Sequence, residues 1–177
     1  MAKTRSESGS LVRKGLGFAA AGAGLALLLY TGVAAAQPAP ADGAEANRAL
    51  VARSFDAWRD GTGSPYDLLA EDASWTIMGH SRAARTYSGK EDFLREVIRP
   101  FNARMRTRLI PTVRRLYAEG DTVIAFFDAS GTALDGETYS NSYAWFLEMK
   151  DGRIVRAHAF FDSIVFDDFW TRVTPAG

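Results

Sequence analysis

Three side chains in this sequence have the chemistry to move a proton: Asp128, Asp162 and His80. Asp128 lies between Phe127 and Ala129 in a strand-like run. Burial of an unpaired carboxylate there would be costly, and it would raise the pKa toward that of a general acid or base. The plainer reading is a carboxylate hydrogen-bonded to Tyr143 or paired with a nearby arginine. Asp162 directly precedes a short apolar helical pattern, so it either caps that helix or acts as an acid. His80 sits in a polar loop, where it either relays protons near neutral pH or is simply solvated. Trp58, Trp75, Tyr87, Tyr139, Tyr143 and Phe161 offer aromatic walls for a small molecule, or an ordinary core. With His80 and His158 the only histidines and no cysteine, neither a zinc site nor another cofactor is expected.

These residues need elements to position them. Asp42-Gly43-Ala44-Glu45 offers a cap and a reciprocal Glu, and Leu50, Val51, Phe55 and Trp58 follow on one helical face until Gly61 and Gly63. Ser64-Pro65-Tyr66-Asp67 starts a second, short helix ending near Asp72. Ser74 to Met78 reads as a strand and Gly79 to Gly89 as a loop. Ser88-Gly89-Lys90-Glu91 then opens a third helix, which Pro100 kinks or ends. From Leu109 onward the pattern is that of strands: Leu109 to Glu119, Thr122 to Ala133, Tyr139 to Met149 and Ile154 to Phe161, joined at Gly120-Asp121, Asp135-Gly136 and Asp151-Gly152. Ile164, Val165, Phe169 and Trp170 mark a last helix.

Tight two-residue turns at Asp135-Gly136 and Asp151-Gly152 predict the rows that share a sheet face. One face would carry Ser130, Asn141 and Asp162; then Asp128, Tyr143 and Phe160; then Phe126, Trp145 and His158. The other would carry Phe127, Ala129, Ala144, Phe146, Ala157, Ala159 and Phe161. A single β-bulge reverses the assignment beyond it.

The N-terminus has a basic start (Lys3, Arg5, Arg13, Lys14), an apolar run from Leu16 to Ala36 and then Gln37-Pro38-Ala39-Pro40. This is the order of a secretory signal, with cleavage expected after Ala36 and a linker over 37–43. A retained membrane anchor is the rival reading; if the signal is cleaved, no stable anchor remains. The remainder holds 17 basic against 20 acidic side chains, which argues against a nucleic-acid partner. The arginines between Arg95 and Arg115 read as a solvated face paired with the acidic surplus. Without cysteine, an exported fold must be held by its core alone.

The order helix, short helix, strand, loop, helix, four long strands resembles the nuclear transport factor 2-like superfamily. Leu69-Ala70-Glu71-Asp72-Ala73, Tyr87-Ser88-Gly89-Lys90 and Lys150-Asp151-Gly152-Arg153-Ile154 leading to Phe160-Phe161-Asp162 are similar to its SnoaL-like branch, which is related to polyketide cyclases and steroid isomerases. The resemblance covers Ala44 to Thr171. It implies an α+β, cone-shaped fold, a curved antiparallel sheet with N-terminal helices enclosing a pocket, and a homodimer. It also implies catalytic positions, which here hold Ile77, Ser54 or Phe55, and Ala159. Ile and Ala transfer no protons, so neither family mechanism is expected intact. Three readings stay open: a periplasmic or secreted binding protein for a small apolar or aromatic metabolite, a cofactor-free cyclase, isomerase or dehydratase using Asp128, Asp162 or His80, and a dimeric interaction module.

Overall fold

The computed structural model describes residues 41–175. The expected leader, its expected cleavage site and the first residues of the expected linker lie outside them. Helix α1, Ala41–Asp60, starts one residue before Asp42. It buries Val51 and Phe55 and packs along the third and fourth strands. It ends in a Schellman motif, with Thr62 N–H donating to Ala57 O at 2.9 Å, Gly61 N–H to Trp58 O at 3.2 Å, and Gly61 at φ 76°. Pro65–Leu68 is one 3₁₀ turn, and Asp67 reaches back to the Ser64 N–H at 2.7 Å. The expected second helix is therefore this single turn, and strand β1 follows at once over Leu69–Ile77.

A short strand β2, Thr86–Ser88, lies inside the segment read as a loop. Helix α2 (90–102) contains a π-helical turn over Leu94–Ile98 between two α-helical stretches, Lys90–Phe93 and Arg99–Asn102. Pro100, which has no N–H to donate, lies just beyond the wide turn, and the helix runs through it. Strands β3 (Ile110–Glu119), β4 (Thr122–Thr132), β5 (Thr138–Lys150) and β6 (Arg153–Phe161) then form a meander. Helix α3, Ser163–Arg172, closes the chain.

The six strands form one curved, open sheet in the order β2-β1-β6-β5-β4-β3. The sheet is mixed rather than antiparallel throughout, because β1 runs parallel to β6, with Trp75 opposite Ala157 and Ile77 opposite Ala159. Such a pair needs a long crossover; here it comprises α2 and the β3–β5 meander.

Register decides the faces, and it differs from the two-hairpin expectation in two places. The β4–β5 ladder closes at Thr132 opposite Thr138 around a loop of residues 133–137, so Asp128 faces Ser142 and Phe127 faces Tyr143. Asp151 (φ 50°) and Gly152 (φ 73°) do form the tight turn. A bulge at Val155 then shifts β6 by one, since Met149 pairs with Ile154 but Glu148 with Arg156. Beyond it Tyr143 faces Phe161 and Trp145 faces Ala159. The concave face therefore carries Ala125, Phe127, Ala129, Asn141, Tyr143, Trp145, Ala157 and Ala159, all buried. Phe126, Asp128, Ala144, Phe146, His158 and Phe160 are on the convex side.

Aromatic contacts knit the helices to the concave face. Trp75 stacks on Phe93 of α2 with centroids 4.5 Å apart, and Phe127 meets Phe55 of α1 at 4.8 Å and Trp145 at 4.7 Å. Each such pair contributes about 0.5–1.5 kcal/mol beyond its burial. Among the described residues, no helix is long and apolar enough to cross a membrane.

Candidate functional site

The concave face and the helices enclose a cavity of about 470 Å³, within the usual range of about 300–1,000 Å³ for small-molecule sites. Its walls follow from the register. Tyr143 and Trp145 come from β5, Ala159 and Phe161 from β6, and Trp75 and Ile77 from β1. The helices contribute Trp58 at the end of α1, Phe93, Val97, Ile98 and Phe101 on α2, and Phe166 on α3. Val97 and Ile98 belong to the π-turn, a distortion often found at functional sites. Tyr66 enters from the 3₁₀ turn and Ser64 from its N-cap, and the exposed lining residues are Asn102, Arg106, Thr107 and Arg108, with Met105 and Leu109 beside them.

Away from the exposed rim and Ser64, the polar groups of the wall are phenolic. Asn141, 5 % exposed, has its amide fully used: Nδ2 donates to Asp162 O at 2.9 Å and Tyr139 Oη at 3.1 Å, and Oδ1 accepts from the N–H groups of Ser142 and Asp162. Tyr139 Oη lies 2.9 Å from Tyr143 Oη. The Tyr139 oxygen also accepts from Asn141 Nδ2, and either phenol can donate in the Tyr139–Tyr143 bond. Tyr143 therefore presents to the cavity a hydroxyl tied to Tyr139 and Asn141 behind it. Burial, with Tyr139 alongside, holds the Tyr143 hydroxyl well above the usual phenol range, so it stays protonated. Burial also raises Tyr66, with a further contribution from Tyr139.

The three proton-transfer candidates do not meet here. Asp128 sits on the convex face, where it accepts from Ser142 Oγ at 2.6 Å and pairs with Arg114. Arg114 is the bulged residue of β3, since Val113 pairs with Phe127 and Arg115 with Phe126. These bonds, Ser142 first and Arg114 second, hold the Asp128 carboxyl below its ordinary range, the reverse of the shift that a buried general base would show. Asp162 caps α3, accepting from the N–H groups of Ile164 at 2.9 Å and Val165 at 3.2 Å. His80 is exposed in the loop after β1 and is not part of the wall. His158 is half-buried on the convex side opposite Phe146 rather than opposite Trp145.

Of the aromatic candidates, Trp58, Trp75, Tyr143 and Phe161 line the cavity. Tyr139 stands behind Tyr143. Tyr87 is buried elsewhere, with its hydroxyl donating to Ala83 O at 2.8 Å and the Arg85 guanidinium 4.4 Å over its ring. Tyr66, Phe93 and Trp145 were not among the binding candidates of the sequence, which placed Trp145 only in a face row, and the rim residues Arg106 and Arg108 were read as part of a solvated face. Only the Ser-Pro cap before Tyr66 pointed to a rigid placement there.

The arginine-rich stretch divides. Arg95 and Arg99 pair with Asp92 and Glu91, as a solvated face should. Arg104, Arg106 and Arg108 instead donate to backbone carbonyls: Arg104 to Pro100 O and Trp170 O, Arg106 to Leu134 O, Arg108 to Trp58 O.

Residues 44–157 match the SnoaL-like domain, and the chain belongs to that family. Solved structures share the fold. Bal32a, from a soil-derived mobile gene cassette, is 24 % identical with a TM-score of 0.59, over 72 % of this chain and 98 % of its own. An NTF2-like protein from Burkholderia thailandensis E264 is 24 % identical at a TM-score of 0.57, over 70 % and 95 %. TerC, co-crystallised with polyporic acid, is 21 % identical at 0.57, over 71 % and 98 %. No protein of curated function matches significantly. The positions where the family resemblance implies a proton-transfer group on β1 and β6 are held by Ile77 and Ala159, and both line the cavity. Ser54 is buried with its hydroxyl donating to Val51 O at 2.7 Å.

Proposed function

We propose that this domain holds one small, largely apolar or aromatic molecule in its cavity, oriented by a hydrogen bond with the Tyr143 hydroxyl. The carrying observation is the composition of the wall: aromatic and aliphatic side chains with a few directed donors, and no Asp, Glu or His among the described lining residues. Such a wall gives burial plus orientation, which is what binding requires. Acid–base turnover needs a titratable group within reach of the reacting atom, and Asp128, Asp162 and His80 are all engaged or exposed elsewhere. The enzymatic alternative, a cofactor-free cyclase, isomerase or dehydratase, draws its support from Tyr143, whose donor would stabilise a developing oxyanion.

Native mass spectrometry of the protein isolated from its own cell envelope tests the binding reading. The expected spectrum shows one retained small molecule per chain, lost on substitution of Ala159 by Phe. Ligand-free protein that captures no aromatic compound would count against it.

Two further proposals accompany this one. The leader over residues 1–36 supports work in the periplasm or outside the cell, to be checked by the N-terminal sequence of the mature protein. The exposed Phe126, Phe146 and Phe160 of the convex face, interspersed with the pairs Arg114–Asp128 and Arg156–Glu148, supports a homodimer. Apolar area and charges of both signs suit a self-complementary contact. Sedimentation equilibrium should show a dimer that Phe146→Lys converts to monomer.

A further inference from the structure

We infer that the bound molecule carries one anionic group, a carboxylate or comparable acidic function, which rests at the cavity rim on Arg106 and Arg108. This deepens the binding reading above and depends on it. Arg106 donates through Nη2 to Leu134 O, and Arg108 through Nη1 to Trp58 O. Each guanidinium has five N–H donors, so most of each fork is left over. Neither forms an ion pair among the described residues. Among the described residues no carboxylate lines the cavity to neutralise them, whereas Arg95, Arg99 and Arg114 each have a carboxylate partner.

The backbone bonds fix the two guanidiniums in place before any ligand arrives. Arg108 also packs against Gly61, where an added Cβ would stand 2.5 Å from its Nη1. A cationic, pre-positioned rim over an interior of Trp, Phe and Tyr side chains matches an aromatic or alicyclic body with a charged end. Charge-assisted hydrogen bonds of guanidinium to carboxylate are about twice as strong as neutral ones. An acid fits a rim of two guanidiniums where an amine does not.

Two fluorescent probes with the same aromatic body separate these statements: 1-anilinonaphthalene-8-sulfonate, an anion, and the neutral N-phenyl-1-naphthylamine. Titrated into the full chain, the anion should bind about tenfold or more tighter than the neutral probe, and added salt should erode that preference. Arg106→Gln should weaken the anion by about tenfold and leave the neutral probe unchanged, while Arg106→Lys, which keeps the charge, should retain part of the preference. Ala159→Phe, which fills the cavity, should abolish both. Equal binding of the two probes by the unsubstituted protein, or equal losses in Arg106→Gln, overturns the anionic assignment and leaves the cavity reading standing. Binding of neither probe, or binding that survives Ala159→Phe, overturns both together. A thermal melt of each variant separates loss of binding from loss of fold.

Discussion

Tyr143 Oη lies 2.9 Å from Tyr139 Oη, and this contact couples the hydroxyl on the cavity wall to the buried one behind it. Tyr143→Phe removes a hydrogen-bond partner of the buried Tyr139 hydroxyl, so it should destabilise the fold by about 1–3 kcal/mol. Adding Tyr139→Phe should cost less than Tyr139→Phe alone, a coupling that urea unfolding of the four proteins measures. Both hydroxyls are raised by burial above their usual value of 10.0. Their contribution is therefore complete below pH 10 and declines as pH rises beyond it, where the unfolded chain ionises and the fold resists ionisation. The alkaline decline should be shallower in Tyr143→Phe.

Asp128 gives the opposite pH signature. Its carboxyl is lowered from 3.8 by Ser142 and Arg114, so its stabilisation is present above that value and disappears as pH falls through the folded value. Asp128→Asn should be less stable than the parent at pH 7, with the gap closing toward pH 3. Ligand retention should not change, because the side chain is on the convex face. Urea midpoints at the two pH values, with native mass spectra, check both statements.

Asp162 offers a similar separation of structure from chemistry. Asp162→Ala removes the cap of α3 and should destabilise by about 1 kcal/mol, whereas Asp162→Asn or Asp162→Ser should retain most of that. Chemical denaturation reads the loss, and probe affinity should be the same in all three.

Gly131 keeps the rim in place by having no side chain. A Cβ there would lie 2.8 Å from Arg108 O and 2.7 Å from Met105 Cε. The sulfur-bearing chain can move aside, but the backbone carbonyl cannot without shifting the segment that carries Arg106 and Arg108. Gly131→Ala should cost about 1–3 kcal/mol of stability and weaken the anionic probe more than the neutral one.

Much of the architecture was legible along the chain. The Gly61 stop, the Asp162 cap, the Asp151-Gly152 turn and the four long strands follow from local chemistry, in which a positive φ, a side-chain acceptor or an alternating pattern acts within a few residues. The site was less legible. Adjacent aromatics such as Phe126-Phe127 and Phe160-Phe161 put a large apolar residue on each face of the sheet, so alternation could not say which face turned inward.

Sequence alone therefore determined the order of the main helices and long strands, although not strand β2, and the aromatic content of the interior. Tertiary structure decided the phase. A hairpin loop longer than two residues took Asp128 off the face of Tyr143 and Trp145, and one extra residue at Val155 brought Ala159 and Phe161 onto it. Side chains alternate with a period of two, so each one-residue slip exchanges the faces, and only the three-dimensional pairing fixes how many slips occur. The parallel β1–β6 pair and the rim arginines belong to the same category, since both join residues far apart in the chain.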